Sequence, residues 1–141
     1  MKAGMRQRGF TSRDRVAGLA VLAILAVLVV PAWRDSVTRR RIRVAQSDLQ
    51  ALSDHVESDR RRTLLYPSAT LHGTTALTGR FPDWNPRSRP ADFSFTYATD
   101  ASGYRLTAAG VSGRMVGCSL SLTAANARTV AGCPDVGDLR W

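Results

Sequence analysis

Arg6-Gln7-Arg8-Gly9-Phe10-Thr11-Ser12-Arg13-Asp14-Arg15, followed by residues 16–30, all apolar or Gly, and then by Pro31, is the stretch that decides how this chain is built. Extended through Ala32 to Trp33, the apolar run covers 18 positions. As a helix these span about 27 Å, close to the roughly 30 Å hydrocarbon thickness of a bilayer. Trp33 falls at the far boundary, where an amphipathic ring favours the headgroup region. A secretory signal peptide has a similar outline, but Pro31 is followed by Trp33, Arg34, Asp35 and a long amphipathic pattern instead of a small-residue cleavage site. The segment is therefore read as retained. Pro31 removes one helical hydrogen bond and crowds the Val27 carbonyl, so a kink or loosening is expected there.

Past the proline, Ile42, Ala45, Leu49, Leu52 and Val56 recur at spacings of 3, 4, 3 and 4, with Arg43, Gln46, Asp48, Asp54, Glu57 and Arg60 between them. That is one apolar stripe on an amphipathic helix, and the stripe needs a cover. A two-stranded coiled coil competes for it, but the heptad pattern is brief and centred on Ala45. The sheet that follows is the better cover.

Residues 63–91 hold Pro67, Pro82, Pro86 and Pro90 with Gly73 and Gly79, and read as a connecting loop holding at most one short extended piece. From Phe93 the pattern alternates: Phe93, Phe95 and Tyr97 against Ser94, Thr96 and Ala98. A turn at 99–103 leads into a second strand with Tyr104, Leu106 and Ala108. A third strand is expected over 115–123 and a fourth over 128–133, joined by a turn at 124–127. Cys118 and Cys133 lie symmetrically about that turn, facing each other across an antiparallel hairpin where a disulfide is possible. Closing such a loop contributes on the order of 3 kcal/mol. An even cysteine pair without a His cluster reads as a disulfide in an oxidising compartment.

At 141 residues there is room for one compact domain beside the apolar segment, and the net charge of +9 favours anionic surfaces without choosing among them. No phosphate loop, metal-ligand spacing or nucleophile with a base is found, so no enzyme, cofactor or metal site is expected. Asp54, His55, Glu57 and Asp59 point to different helix faces and read as solvated surface; His72 stands apart. Asp135 and Asp138 are too sparse for a calcium site. Flanking basic residues are balanced, Lys2, Arg6, Arg8, Arg13 and Arg15 against Arg34, Arg39, Arg40, Arg41 and Arg43, so charge does not settle membrane orientation. The clusters 39–43 and Arg60-Arg61-Arg62 suit an anionic ligand. Contact with membrane lipid or acidic neighbours is favoured for the first cluster, and DNA is an unsupported option for the helix that carries both.

The basic leader ending in Gly9 before Phe10-Thr11, the acid at Asp14 and Pro31 at its distance from the junction resemble the N-terminus of type IV pilins. The helix, the later Gly103-Tyr104-Arg105-Leu106-Thr107-Ala108, Gly117-Cys118-Ser119-Leu120 and Trp141 are similar, more loosely, to minor type IV pilins. The resemblance implies an α+β pilin fold: a long N-terminal helix, transmembrane in its first half, packed on a four-stranded antiparallel sheet. It divides the chain into a leader 1–9, removed by a prepilin peptidase between Gly9 and Phe10; an assembly helix 10–33; an amphipathic second half 34–62; a connecting loop 63–92; and a disulfide-bonded sheet 93–141. Partners implied are other pilin subunits and an inner-membrane assembly platform, with the C-terminal domain periplasmic before export into an extracellular pilus. Asp14 takes the place of the acid thought to pair with a neighbour's N-terminal amine. Pilins generally carry Glu there within apolar surroundings, whereas Ser12, Arg13 and Arg15 flank Asp14. Those charges suit a low-copy minor subunit and offer the carboxylate local partners. A pseudopilin of a type II secretion system and an unrelated single-pass periplasmic binding module are the alternatives.

Overall fold

The computed structural model describes residue 9, residues 11–137 and residues 139–141. Phe10 and Asp138 lie outside the described residues. The chain forms two units, Met1–Asp35 and Ser36–Trp141, and one helix, α1 (Ser12–Thr63), contributes to both.

In the first unit α1 is apolar and exposed over residues 16–33. Leu19, Leu22, Val27 and Leu28 are exposed, and the helix is long and apolar enough to cross a membrane. Pro31 sits inside α1, which continues on both sides of it.

In the second unit the stripe Ile42, Ala45, Leu49, Leu52 and Val56 is fully buried. It packs in one core with the inward faces of an antiparallel sheet: β1 (Leu71–His72), β2 (Phe93–Asp100), β3 (Gly103–Gly110), β4 (Ser119–Thr123) and β5 (Arg128–Ala131). Strand order follows chain order, so every connection joins neighbours. The alternation of β2 carries Phe93, Phe95 and Tyr97 inward, β3 adds Tyr104, Leu106 and Ala108, and β4 adds Leu120 and Leu122. This is the α+β architecture of a pilin, with five strands instead of four.

The fifth strand comes from the segment expected to be a connecting loop with at most one short extended piece, which is β1. Leu71 and His72 pair with Tyr97 and Thr96, and a strand of two residues has no alternation to read. A short helix, α2 (Thr74–Arg80), follows. Its Thr-rich, Gly-containing sequence has low helix propensity, and tertiary burial of Leu77, Phe81 and Trp84 holds the segment instead. Trp84 meets Phe95 edge-on at 5.3 Å and donates its indole N–H to the Asp48 carbonyl at 3.1 Å.

The third and fourth strands are shorter than expected. Residues 113–115 form a 3-10 turn, so β4 begins at Ser119. There a Cβ on Gly110 would fall on the Met115 carbonyl, which explains a glycine at the end of β3. β5 ends at Ala131, and its register places Gly132 opposite Cys118. The bond joins Cys118 to Cys133 nonetheless. Gly132, at φ +64°, absorbs the one-residue offset and lies against the Gly117 carbonyl, where no side chain fits. Residues past Cys133 return to α1: Val136 is buried, its carbonyl accepts from the Arg39 guanidinium at 2.7 Å, and the Leu139 carbonyl accepts from Gln46 at 3.4 Å.

Burial pushes the phenols of Tyr97 and Tyr104 up to about 12, and Tyr66 is raised as well, by burial and then by the Glu57 carboxylate. The neutral phenols contribute stability that is fully present below the ordinary value of about 10 and lost as pH rises through the folded values. Absorbance of ionised tyrosine is therefore expected to lag behind free tyrosine in an alkaline titration and to rise together with loss of circular dichroism. Titration of any of the three tyrosines near the ordinary value in folded protein contradicts this packing.

Candidate functional site

The N-terminal site is built on the first turn of α1. Thr11 precedes the helix, and both its backbone N–H and its hydroxyl donate to Asp14 Oδ2, at 3.2 and 2.9 Å. The amides of Asp14 and Arg15 donate back to the Thr11 carbonyl at 3.0 and 3.2 Å. Thr-x-x-Asp thus works like a capping box: a residue three positions into the helix accepts the N–H of the residue before it, and its negative charge sits at the positive end of the helix dipole. Asp14 forms no ion pair with Arg13 or Arg15 among the described residues. The local partner of the carboxylate is Thr11, not the arginines expected from the sequence. Gly9 is exposed.

Arg60, Arg61 and Arg62 occupy the last turn of α1, where positive charge complements the carbonyl end of the helix. They do not form one patch. Arg60 donates to Glu57 at 3.1 Å and lies over the Tyr66 ring at 5.2 Å, while Tyr66 donates to the other Glu57 oxygen at 2.9 Å. Partial burial works to raise the Glu57 carboxyl, but the hydrogen bonds from Tyr66 and Arg60 outweigh it and hold the group below its ordinary 4.5. That cluster contributes stability present above the ordinary value and lost as pH falls through the depressed one. Arg61 is exposed, and Arg62 borders a cleft with His55, Asp59 and Arg80, in which Arg80 pairs with Asp59 at 2.6 Å.

The 39–43 cluster is likewise divided by the fold. Arg39 is tied to Val136, Arg41 pairs with buried Asp92 at 3.2 Å, and Arg40 and Arg43 are exposed. Nothing in the sequence separates these arginines, because the C-terminal tail and Asp92 reach them from more than 50 positions away. The Thr11–Asp14 cap was not among the sequence expectations, although its Thr-x-x-Asp spacing is a signal that could have found it.

Among curated proteins the chain is similar to the type II secretion system core protein G of Pseudomonas aeruginosa, with 31% identity over 84 residues, 60% of this chain and 58% of the relative. It is also similar to the type II secretion system core protein G of Pectobacterium carotovorum subsp. carotovorum, with 34% identity over 92 residues, 64% of this chain and 58% of the relative. The chain spans a little under three fifths of the length of these curated relatives. No family model matches it. No solved structure gives a significant match. The named relatives belong to a secretion system, which shifts the weight from the pilus reading to the pseudopilin one, while the pilin-like fold is common to both.

Replacing Asp14 by Ala removes the acceptor for both Thr11 donors, and loss of such a cap typically costs about 1 kcal/mol. Faster amide exchange is expected at residues 11–15 of the detergent-solubilised protein, with unchanged exchange in the sheet. Equal protection of the first turn in D14A and wild type contradicts the capping role.

Proposed function

We propose that the protein is a pseudopilin-type structural subunit of a type II secretion system. The observation that carries this reading is the similarity to two core protein G relatives, in a chain whose fold is an apolar N-terminal helix followed by an antiparallel sheet. A prepilin peptidase cuts between Gly9 and Phe10 and the new terminal Phe10 is N-methylated. The apolar part of α1 then anchors the subunit in the inner membrane with the C-terminal domain in the periplasm. During assembly these helices bundle with those of other pilin-like subunits, and Asp14 pairs with a neighbour's terminal amine, whose burial without an opposite charge would be costly. The work is structural; no reaction is assigned to the chain.

A minor subunit of a type IV pilus is the second reading. The charges flanking Asp14 favour it, since a low-copy position tolerates Arg13 and Arg15 better than a repeated filament core does.

Mass spectrometry of the mature N-terminus is expected to find N-methylated Phe10; an intact Met1 or a cut after Ala32 overturns pilin-type processing. Deletion of the gene is expected to trap folded exoproteins in the periplasm while surface pili persist. Lost pili with normal secretion moves the assignment to the minor pilin.

A further inference from the structure

The chain enters the second unit at Ser36, three residues after Trp33 closes the apolar run. Two loops are fastened beside the first turns of α1 in this unit. The loop before β2 is held by Asp48, which is buried on the helix and accepts the amides of Arg87 and Ser88 at 2.9 and 2.7 Å, and by Arg41, which pairs with buried Asp92 at 3.2 Å. The loop between β3 and β4 is bonded to that one. The Val111 amide donates to the Asp92 carbonyl at 2.9 Å, the Ser112 hydroxyl donates to the Ala91 carbonyl, and the Arg114 guanidinium donates to the Thr38 hydroxyl of the helix at 3.5 Å. Helix and loops thus present one continuous surface.

Its composition is that of a membrane interface. Arg40, Arg87, Arg89 and Arg114 are exposed on it, whereas Asp48 and Asp92 are buried. Asp135, exposed on the tail that Arg39 holds, offsets part of that positive charge. Val111 and Val116 lie on either side of Arg114 in the β3–β4 loop, 50% and 63% exposed, while Met115 between them is buried and pins the loop. Aliphatic side chains flanked by guanidinium groups suit the surface of an anionic bilayer, where the first enter the acyl boundary and the second meet phosphates. The other end of the unit, with Arg61, Arg62, Leu64 and Leu65 exposed, has similar chemistry. It lies about 40 Å of helix away from Ser36.

We propose that the Ser36 end of the unit docks on the bilayer surface, with Val111 and Val116 in the interface and Arg40, Arg87, Arg89 and Arg114 against anionic phospholipid headgroups. The inference rests on the reading of α1 as a membrane anchor and goes beyond it by assigning the domain a lipid-binding face. Tethering gives that face a high effective concentration at the bilayer, so contacts too weak to bind a free domain hold this one. The same weakness lets the subunit leave the membrane during assembly.

The full-length protein is reconstituted into nanodiscs of phosphatidylcholine, with or without phosphatidylglycerol, that carry lipid with a nitroxide on its headgroup, and paramagnetic broadening of amide signals is read by NMR. Broadening at residues 111–116 is expected to exceed that at residues 61–65, to grow with phosphatidylglycerol and to fall as salt screens the charges. Arg40→Ala with Arg87→Ala is expected to lower the ratio of docked to undocked domain by roughly fivefold per arginine. Val111→Ser with Val116→Ser lowers it as well. Arg61→Ala with Arg62→Ala, an equal loss of charge at the other end, leaves it unchanged. All these positions are exposed, so the variants keep the fold, and unchanged amide shifts in the sheet check it. Broadening that responds neither to phosphatidylglycerol nor to the substitutions reflects the tether alone and overturns the proposal, as does an equal response to both arginine pairs. A chain that stays out of the nanodiscs overturns the anchor reading, and this one with it.

Discussion

The structure depends on a single coverage problem: the inner face of the sheet exposes large aromatic and aliphatic side chains, and the stripe of α1 is the main surface available to seal them. Tyr97, Tyr104, Phe93, Phe95, Leu106 and Leu122 would otherwise face water. Each fully buried side chain of this size is worth about 1.5–3 kcal/mol, so the sheet and the second half of the helix stabilise one another and neither is self-sufficient. The same helix carries an apolar first part that is unburied among the described residues. One continuous element thus meets two different demands, and its sequence changes character between them. From Val16 to Val30 it is apolar on all sides; beyond Trp33 it is amphipathic.

Loops supply the remaining cover, and polar contacts hold them in place. Asp48 is the clearest case. Its side chain accepts two loop amides while its own carbonyl accepts the Trp84 indole, so the segment that carries Trp84 into the core is fastened at both ends to one helical residue. Tyr66 plays a similar part at the other end of the helix, edge-on to Tyr104 at 5.2 Å and bonded to Glu57. These contacts explain how a region rich in Pro and Gly can be ordered without long regular elements.

Periodicity made the major elements legible. The 3-4 spacing of Ile42 to Val56 and the alternation of Phe93, Phe95 and Tyr97 reflect burial directly, and both survive intact in the fold. Elements too short to show a period were not legible: Leu71 and His72 become a strand only because β2 offers them a partner, and Thr74–Arg80 is helical against its propensity. The cysteine pairing could be inferred from spacing, whereas the one-residue offset could not, because it turns on the left-handed backbone of Gly132. At the candidate site, the Thr11–Asp14 cap was missed in favour of the flanking arginines, although its Thr-x-x-Asp spacing is local. The sorting of the arginines into fixed and free ones is set by residues distant in sequence, and no local pattern carries that information.

The bond from Cys118 to Cys133 also sets a limit on how far the C-terminus can come undone. Among the described residues past Cys133, the Val136 and Leu139 carbonyls hold to the helix, and Trp141 holds to β5 under the Arg128 guanidinium at 5.7 Å. Such a segment opens at a lower free energy than the sheet. Because Cys133 stays anchored to the residue before β4, fraying stops there and cannot propagate as peeling of β5. The tail is a short flap on a fixed hinge, and its lifting uncovers Gln46 and Arg39 on the helix and withdraws Val136 from the core.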